Sequence, residues 1–135
     1  MTALDFAIAA EALVGAPFRL HGRDPLTGLD CVGLIEAALL QTGRKVRLPR
    51  AYSLRSRRIE GLAPIAHSCG FAAATESAQP GDVLLLRPGP CQFHFAIQGT
   101  AGRLVHAHAG LGRVVMGLVP DEWPQAGRWR LCETD

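Results

Sequence analysis

Charge of either sign is scarce in this chain. Lys and Arg number 14 against 12 Asp and Glu, a net charge of +2 over 135 residues. So weak a balance does not carry nucleic-acid binding. The arginines are scattered apart from Arg55-Ser56-Arg57-Arg58, which reads as a solvated helix face. Cysteine is limited to positions 31, 69, 91 and 132, and no two of these form a Cys-x-x-Cys pair. A chain of this length does not need disulfide staples, so they read as reduced thiols or small buried apolar residues. No stretch reaches the roughly 18 apolar residues of a membrane span, so no membrane insertion is expected. The start has no basic n-region, and Asp5 and Glu11 interrupt its apolar run. No signal peptide is read there, and synthesis in the cytoplasm is the expectation. A Gly-rich phosphate loop, a Gly-x-Ser-x-Gly elbow and a paired-carboxylate constellation are also missing, which leaves nucleotide loops, the hydrolase elbow and glycosidase chemistry without support.

What is present is a core. The chain is 48% hydrophobic and 19% charged, composition that suits one ordinary folded domain over residues 1–135. Apolar residues recur at helical spacing over 4–14, where Gly15-Ala16-Pro17 ends the run, and over 31–42, stopped by Gly43. An arginine-rich amphipathic helix is expected over 51–60 and a weaker one over 64–74. Residues 19–29 read as a polar, turn-rich loop. After the turn at Gln79-Pro80-Gly81-Asp82 the period changes. Short strand-like runs follow at 83–86, 93–97, 103–108 and 114–118, with a last one at 129–132, separated by glycine- and proline-rich turns. Helices first and meandering strands second predict an α+β fold with an antiparallel sheet.

Chemistry concentrates at Cys31, in Leu29-Asp30-Cys31-Val32-Gly33-Leu34, between a turn-like stretch and a helical pattern. A thiol at a helix start faces free N–H groups and the positive end of the helix dipole, so a lowered pKa is expected there. Asp30 can cap the helix, and Gly33 lets backbone or substrate approach. A buried structural cysteine is the plain alternative. His94 lies in one strand, and His106 and His108 share a face of the next. If the two strands pair through the 99–102 turn, the three imidazoles meet on one sheet face, where a hydrophobic layer would not choose them. Cys91-x-x-His94 with His106-x-His108 has zinc-ligand types. Cys91, however, follows Pro90 in a turn, and no metal or other cofactor is expected. His21 and His67 read as surface residues, Cys69, Cys91 and Cys132 as structural, and Asp82 as a turn-fixing residue.

The order of Gly15-Ala16-Pro17-Phe18, Leu29-Asp30-Cys31-Val32-Gly33-Leu34, Leu48-Pro49-Arg50, Gln79-Pro80-Gly81-Asp82-Val83, His94-Phe95-Ala96-Ile97 and Leu104-Val105-His106-Ala107 resembles the NlpC family of cell-wall cysteine peptidases over nearly the whole chain. The resemblance implies a papain-like fold and hydrolysis of peptidoglycan stem peptides, typically after D-γ-glutamyl and before a diamino acid. It implies Cys31 as nucleophile, His94 as base and His106 as the residue that orients the base, with His108 as second choice for that role. Phe18, Asp30, Val32 and His108 are expected beside the substrate. Phe18 stands where members often have Tyr, and Val32 where they have Ser, so two polar groups near the site are replaced. The Leu-Thr-Gly-Leu-Asp-Cys context resembles the stand-alone members encoded with phage tails, prophages and gene-transfer agents, which implies tail proteins as partners.

Overall fold

The computed structural model describes residues 2–48, 62–89, 92–119 and 123–132. The helix expected over 51–60 and the thiol of Cys91 lie outside them. Helix α1 (Ala3–Ala12) starts with a reciprocal cap: the Thr2 hydroxyl accepts from the Asp5 N–H at 3.2 Å, and the Asp5 carboxylate accepts from the Thr2 N–H at 2.9 Å. The 19–29 stretch is more ordered than its composition suggests. Strands β1 (Arg23–Asp24) and β2 (Gly28–Leu29) form a small antiparallel hairpin within it.

Helix α2 (Cys31–Gln41) is buried from Cys31 through Leu39, which makes it the centre of the packing. Gly33 is required there because a Cβ at that position would lie 2.0 Å from the Gly22 carbonyl oxygen. The loop backbone thus lies directly on the first turn of α2, and the small residue expected to admit substrate or backbone admits backbone. Helix α3 (Leu62–Ser68) is shorter than the 64–74 expectation. Gly70 turns the chain at φ +90°, and 71–73 become strand β3 (Phe71–Ala73), because their edge finds a partner strand near the C-terminus.

Strands β4 (Val83–Gly89), β5 (Gln92–Gln98), β6 (Leu104–His108), β7 (Arg113–Gly117) and β8 (Gln125–Leu131) follow. Among the described residues the main sheet runs β3-β8-β4-β5-β6-β7, antiparallel throughout. The fold is therefore α+β, as the element order predicts. One face of the sheet carries Val83, Leu85, Phe95, Ile97, Val105 and Ala107 and packs with α1 and α2. Leu29, Leu34, Leu39, Leu85, Ile97, Val105 and Val114 are fully enclosed, each contributing about 1.5–3 kcal/mol of burial. The other face carries Leu84, Leu86, Ala96 and Leu104 under Val119 and Trp123. Strands β5 and β6 pair only at Ile97–Val105 and Gln98–Leu104. Toward His94 they part, and α2 packs against both of them.

Candidate active site

Cys31 opens α2, and the helix cap is built from the residue before it. Asp30 is 1% exposed. Its Oδ1 accepts from the Gly33 N–H at 2.8 Å and its Oδ2 from the His21 N–H at 2.9 Å. Both carboxylate oxygens are therefore engaged inside the fold, and Asp30 organises the nucleophile helix from within instead of facing a substrate. His21, whose N–H it holds, sits at φ +60°, a conformation uncommon for a residue with a side chain.

The thiol lies against β5, whose Phe95 N–H acts on it. The backbone N–H groups of Phe95, Cys31 and Val32 act on the Cys31 sulfur in the direction that lowers its pKa. These donors favour thiolate, as the helix-start argument requires. The structure nevertheless corrects the expectation of a lowered pKa: the thiol is pushed up to about 12. Burial is the largest cause, and the neighbouring Asp30 charge adds to it. Three backbone donors do not replace the water that a sulfur 3% exposed has lost. Among the described residues Cys31 and His94 make no hydrogen bond to each other.

His94 projects from β5 and His106 from β6, and the parting of the strands leaves room for a direct contact. His94 Nε2 lies 2.9 Å from His106 Nδ1 in a hydrogen bond. The rings meet edge to face, with centroids 5.1 Å apart at 84°. His94 Nδ1 is then the ring nitrogen not engaged with His106. Burial, followed by the charges that His106 and His108 would carry, pulls His94 down to about 4. Burial, then His108, lowers His106 as well. His108 has a different partner. Its Nδ1 accepts from the Leu111 N–H at 3.0 Å, so it holds the β6–β7 turn while its ring lies 5.8 Å from that of His106. Of the two residues considered for contact with His94, the structure joins His106.

The other candidates are placed as follows. Val32 is 8% exposed and belongs to the core, and Phe18 is half-buried against it, bridged to Leu29. Cys69 is buried, whereas Cys132 is exposed and so fills no core space. His21 and His67 are exposed. Among the described residues no three His, Cys, Asp or Glu side chains are disposed around a metal position. Sequence reasoning missed Trp123. Its indole lies edge-on to His94 (5.7 Å, 77°) and to His106 (6.4 Å, 82°). The available signal was a tryptophan, one of only two, set between Pro120 and Pro124 in a stretch with no strand pattern. An aromatic there has to pack on something outside its own element.

The family model described as NlpC/P60 matches residues 15–126. None of the curated proteins matches the chain in sequence. Several solved structures share its fold. The NlpC/p60 domain of the peptidoglycan hydrolase SagA is 22% identical, with a TM-score of 0.62 over 95% of this chain and 97% of that one. The P60 domain of antigen MAP1204 from M. avium subspecies paratuberculosis is 21% identical, with a TM-score of 0.61 over 98% and 96%. RipD from Mycobacterium tuberculosis, described as a non-catalytic NlpC/p60 domain protein adapted to peptidoglycan binding, is 19% identical, with a TM-score of 0.62 over 96% and 97%. With the model spanning most of the sequence, the chain belongs to the NlpC/P60 family.

Proposed function

We propose that this protein is a cysteine peptidase that hydrolyses stem peptides of bacterial peptidoglycan, at the bond between D-γ-glutamyl and a diamino acid. Cys31 is the nucleophile, His94 the base and His106 the residue that orients the base. The observation that carries this reading is the 2.9 Å His94–His106 bond between β5 and β6, with the N–H of Phe95, the residue after His94, acting on the Cys31 sulfur at the start of α2. A structural core has no use for two hydrogen-bonded imidazoles next to a capped thiol.

A thiol near 12 and an imidazole near 4 rest neutral, not as a thiolate and an imidazolium. The proton therefore moves during attack. To accept it at Nδ1, His94 carries its own proton on Nε2 and donates that hydrogen bond to His106 Nδ1, which fixes tautomer and ring together. The sulfur attacks the scissile carbonyl carbon as His94 takes the thiol proton. The Cys31 N–H at the start of α2 faces the oxyanion. His94 then gives its proton to the leaving amine, and water hydrolyses the thioester. The Leu26-Thr27-Gly28-Leu29-Asp30-Cys31 context supports placing the enzyme with the phage-tail and gene-transfer-agent members, made in the cytoplasm and carried to the wall in a particle with tail proteins as partners.

A second reading has two observations in its favour: the buried thiol is unactivated at rest, and a fold neighbour is described as non-catalytic. Incubation with defined stem peptides followed by mass spectrometry decides between the two. Cleavage at a single bond supports the peptidase. Binding without cleavage across stem types supports a wall-binding module, and acyl transfer to an added amine would recast the same site as a transferase.

Two outcomes follow from the geometry. His106→Ala should lower kcat about 100-fold, less than loss of the nucleophile, with His106→Asn recovering part of it through its amide. The pH profile of kcat/KM should have its acid limb near 4, not near 6.5. The neutral form of His94 is the reactive one, and it persists down to about pH 4. A limb between pH 6 and 7 would contradict a desolvated base.

A further inference from the structure

Over the sheet face opposite α2, the described part of the connection between β7 and β8 lays Val119 and, larger, Trp123. Trp123 is half-buried against the layer of Leu84, Leu86, Ala96 and Leu104. Its indole meets both imidazoles edge to face, at 5.7 Å and 6.4 Å. The imidazoles meet each other the same way at 5.1 Å, so three rings form a closed edge-to-face set. Within that set His94 is restrained by a hydrogen bond through Nε2 on one side and by the indole on another. The hydrogen bond alone leaves a ring free to rock about the bond direction, and the indole removes that freedom.

The surroundings of His94 leave Trp123 as its aromatic wall. His106 and His108 face it from β6. Leu86 lies opposite it in register on β4, while the neighbouring Arg87 guanidinium is turned onto the Phe93 ring, 5.0 Å from its centroid. From α2 come Cys31, which reaches β5 through the Phe95 N–H, and Asp30 behind it, with both its carboxylate oxygens engaged. Burial is the largest cause that holds His94 neutral, ahead of the His106 and His108 charges. The indole is one of the groups packed on the ring.

We propose that Trp123 is a positioning residue of this site: its indole walls the His94–His106 pair from solvent and holds the His94 ring in the orientation that receives the Cys31 proton. The proposal rests on His94 being the base. Trp123 packs on the two imidazoles and on the Leu84, Leu86, Ala96 and Leu104 layer, so its effect runs through the imidazoles.

The test combines kinetics with imidazole titration. Trp123→Ala should admit water, moving the acid limb of kcat/KM up from about pH 4 toward the ordinary histidine value of about 6.5. It should lower kcat about tenfold while KM changes little. Trp123→Phe, which keeps a ring edge and most of the apolar wall, should stay close to wild type in both. The His94 and His106 ring protons, followed by NMR in the Cys31→Ala background, should titrate higher by about one pH unit or more when Trp123 is also alanine. Unmoved titration with a raised KM would overturn the proposal and make Trp123 a substrate contact. Trp123→Phe behaving as Trp123→Ala in both readouts would overturn it as well. If no stem peptide is cleaved by any form, the peptidase reading fails, while the titration still decides whether the indole governs the pair. If Trp123→Ala does not fold, Trp123→Ser, which removes the apolar wall while keeping a small side chain, should show the same shift, and an unmoved titration in it would overturn the proposal.

Discussion

Cys31→Ala should reduce stem-peptide cleavage to background, a loss of about 10⁴-fold or more in kcat, with the fold intact. The size of the effect follows from covalent chemistry. Without the sulfur no thioester forms, and the His94–His106 pair has nothing to deprotonate but water. The stability cost is small, because one buried sulfur atom is lost from a well-packed layer, about 1 kcal/mol in transfer and cavity terms. Asp30 still caps α2 through Gly33, and Gly33 still seats the Gly22 loop, so the helix start is kept. Turnover read by mass spectrometry beside a melting curve separates the two effects. Equal cleavage by the variant would remove Cys31 from the mechanism. Slow alkylation of the resting enzyme at neutral pH is expected too, since a thiol near 12 and 3% exposed offers little thiolate to a reagent. Such slowness is therefore no mark of a dead site. Reactivity has to be read through turnover, where the carbonyl and His94 act on the thiol together.

How far the sequence carried the structure differs from residue to residue, for physical reasons. Period and turn chemistry were enough for α1, α2 and the four strands from β4 to β7, since each has its own helical period or short apolar run and a stop rich in glycine or proline. The same reasoning brought His94 and His106 to one face, because alternation and a short turn dictate it. It failed at 71–73. Phe-Ala-Ala has no local strand signal, and only pairing with Trp129–Leu131 makes it one. It failed in kind at Cys31. Position at a helix start is visible in a sequence, but the burial that outweighs it depends on α2 lying in the middle of the packing. Trp123 escaped for the same reason, because its partners are 29 and 17 residues away and no periodicity joins them. Asp30 and Val32 lie beside the nucleophile in sequence, which places them beside the substrate by neighbourhood alone. The helix turns both inward.

Asp82→Ala should be the most destabilising single change away from the thiol and the imidazoles, by about 3–5 kcal/mol. Asp82 is fully buried just before β4. Its carboxylate accepts from Arg128 Nη1 at 2.8 Å, from Arg130 Nε at 2.9 Å and Nη2 at 3.0 Å, and from the Gln79 N–H at 3.0 Å. The two arginines are on β8, the neighbour of β4, and they also reach Glu76 and Ser77. One carboxylate thus ties the 74–82 turn to two strands. Removing it leaves the Arg128 side chain, 9% exposed, with its charge uncompensated in the packing. Asp82→Asn, which keeps an acceptor and loses the charge, should cost about half as much. At about 3–5 °C per kcal/mol for a chain of this size, the alanine variant should melt about 10–20 °C lower. The pH dependence tells this contribution from that of His94. Burial raises the Asp82 carboxyl, but the Arg130, Gln79 and Arg128 hydrogen bonds outweigh it and hold it below the ordinary range. Its contribution is complete above the unfolded value of about 4 and is lost only as pH falls through the lower folded value. His94 works in the window above that one: folded near 4 and unfolded near 6.5, it costs stability progressively as pH drops between them. Wild type should therefore begin to lose melting temperature below about pH 6.5, and Asp82→Ala should run parallel to it, displaced downward, until about pH 4. Curves that converged above pH 4 would mean that the carboxylate is not the group holding β8 to β4.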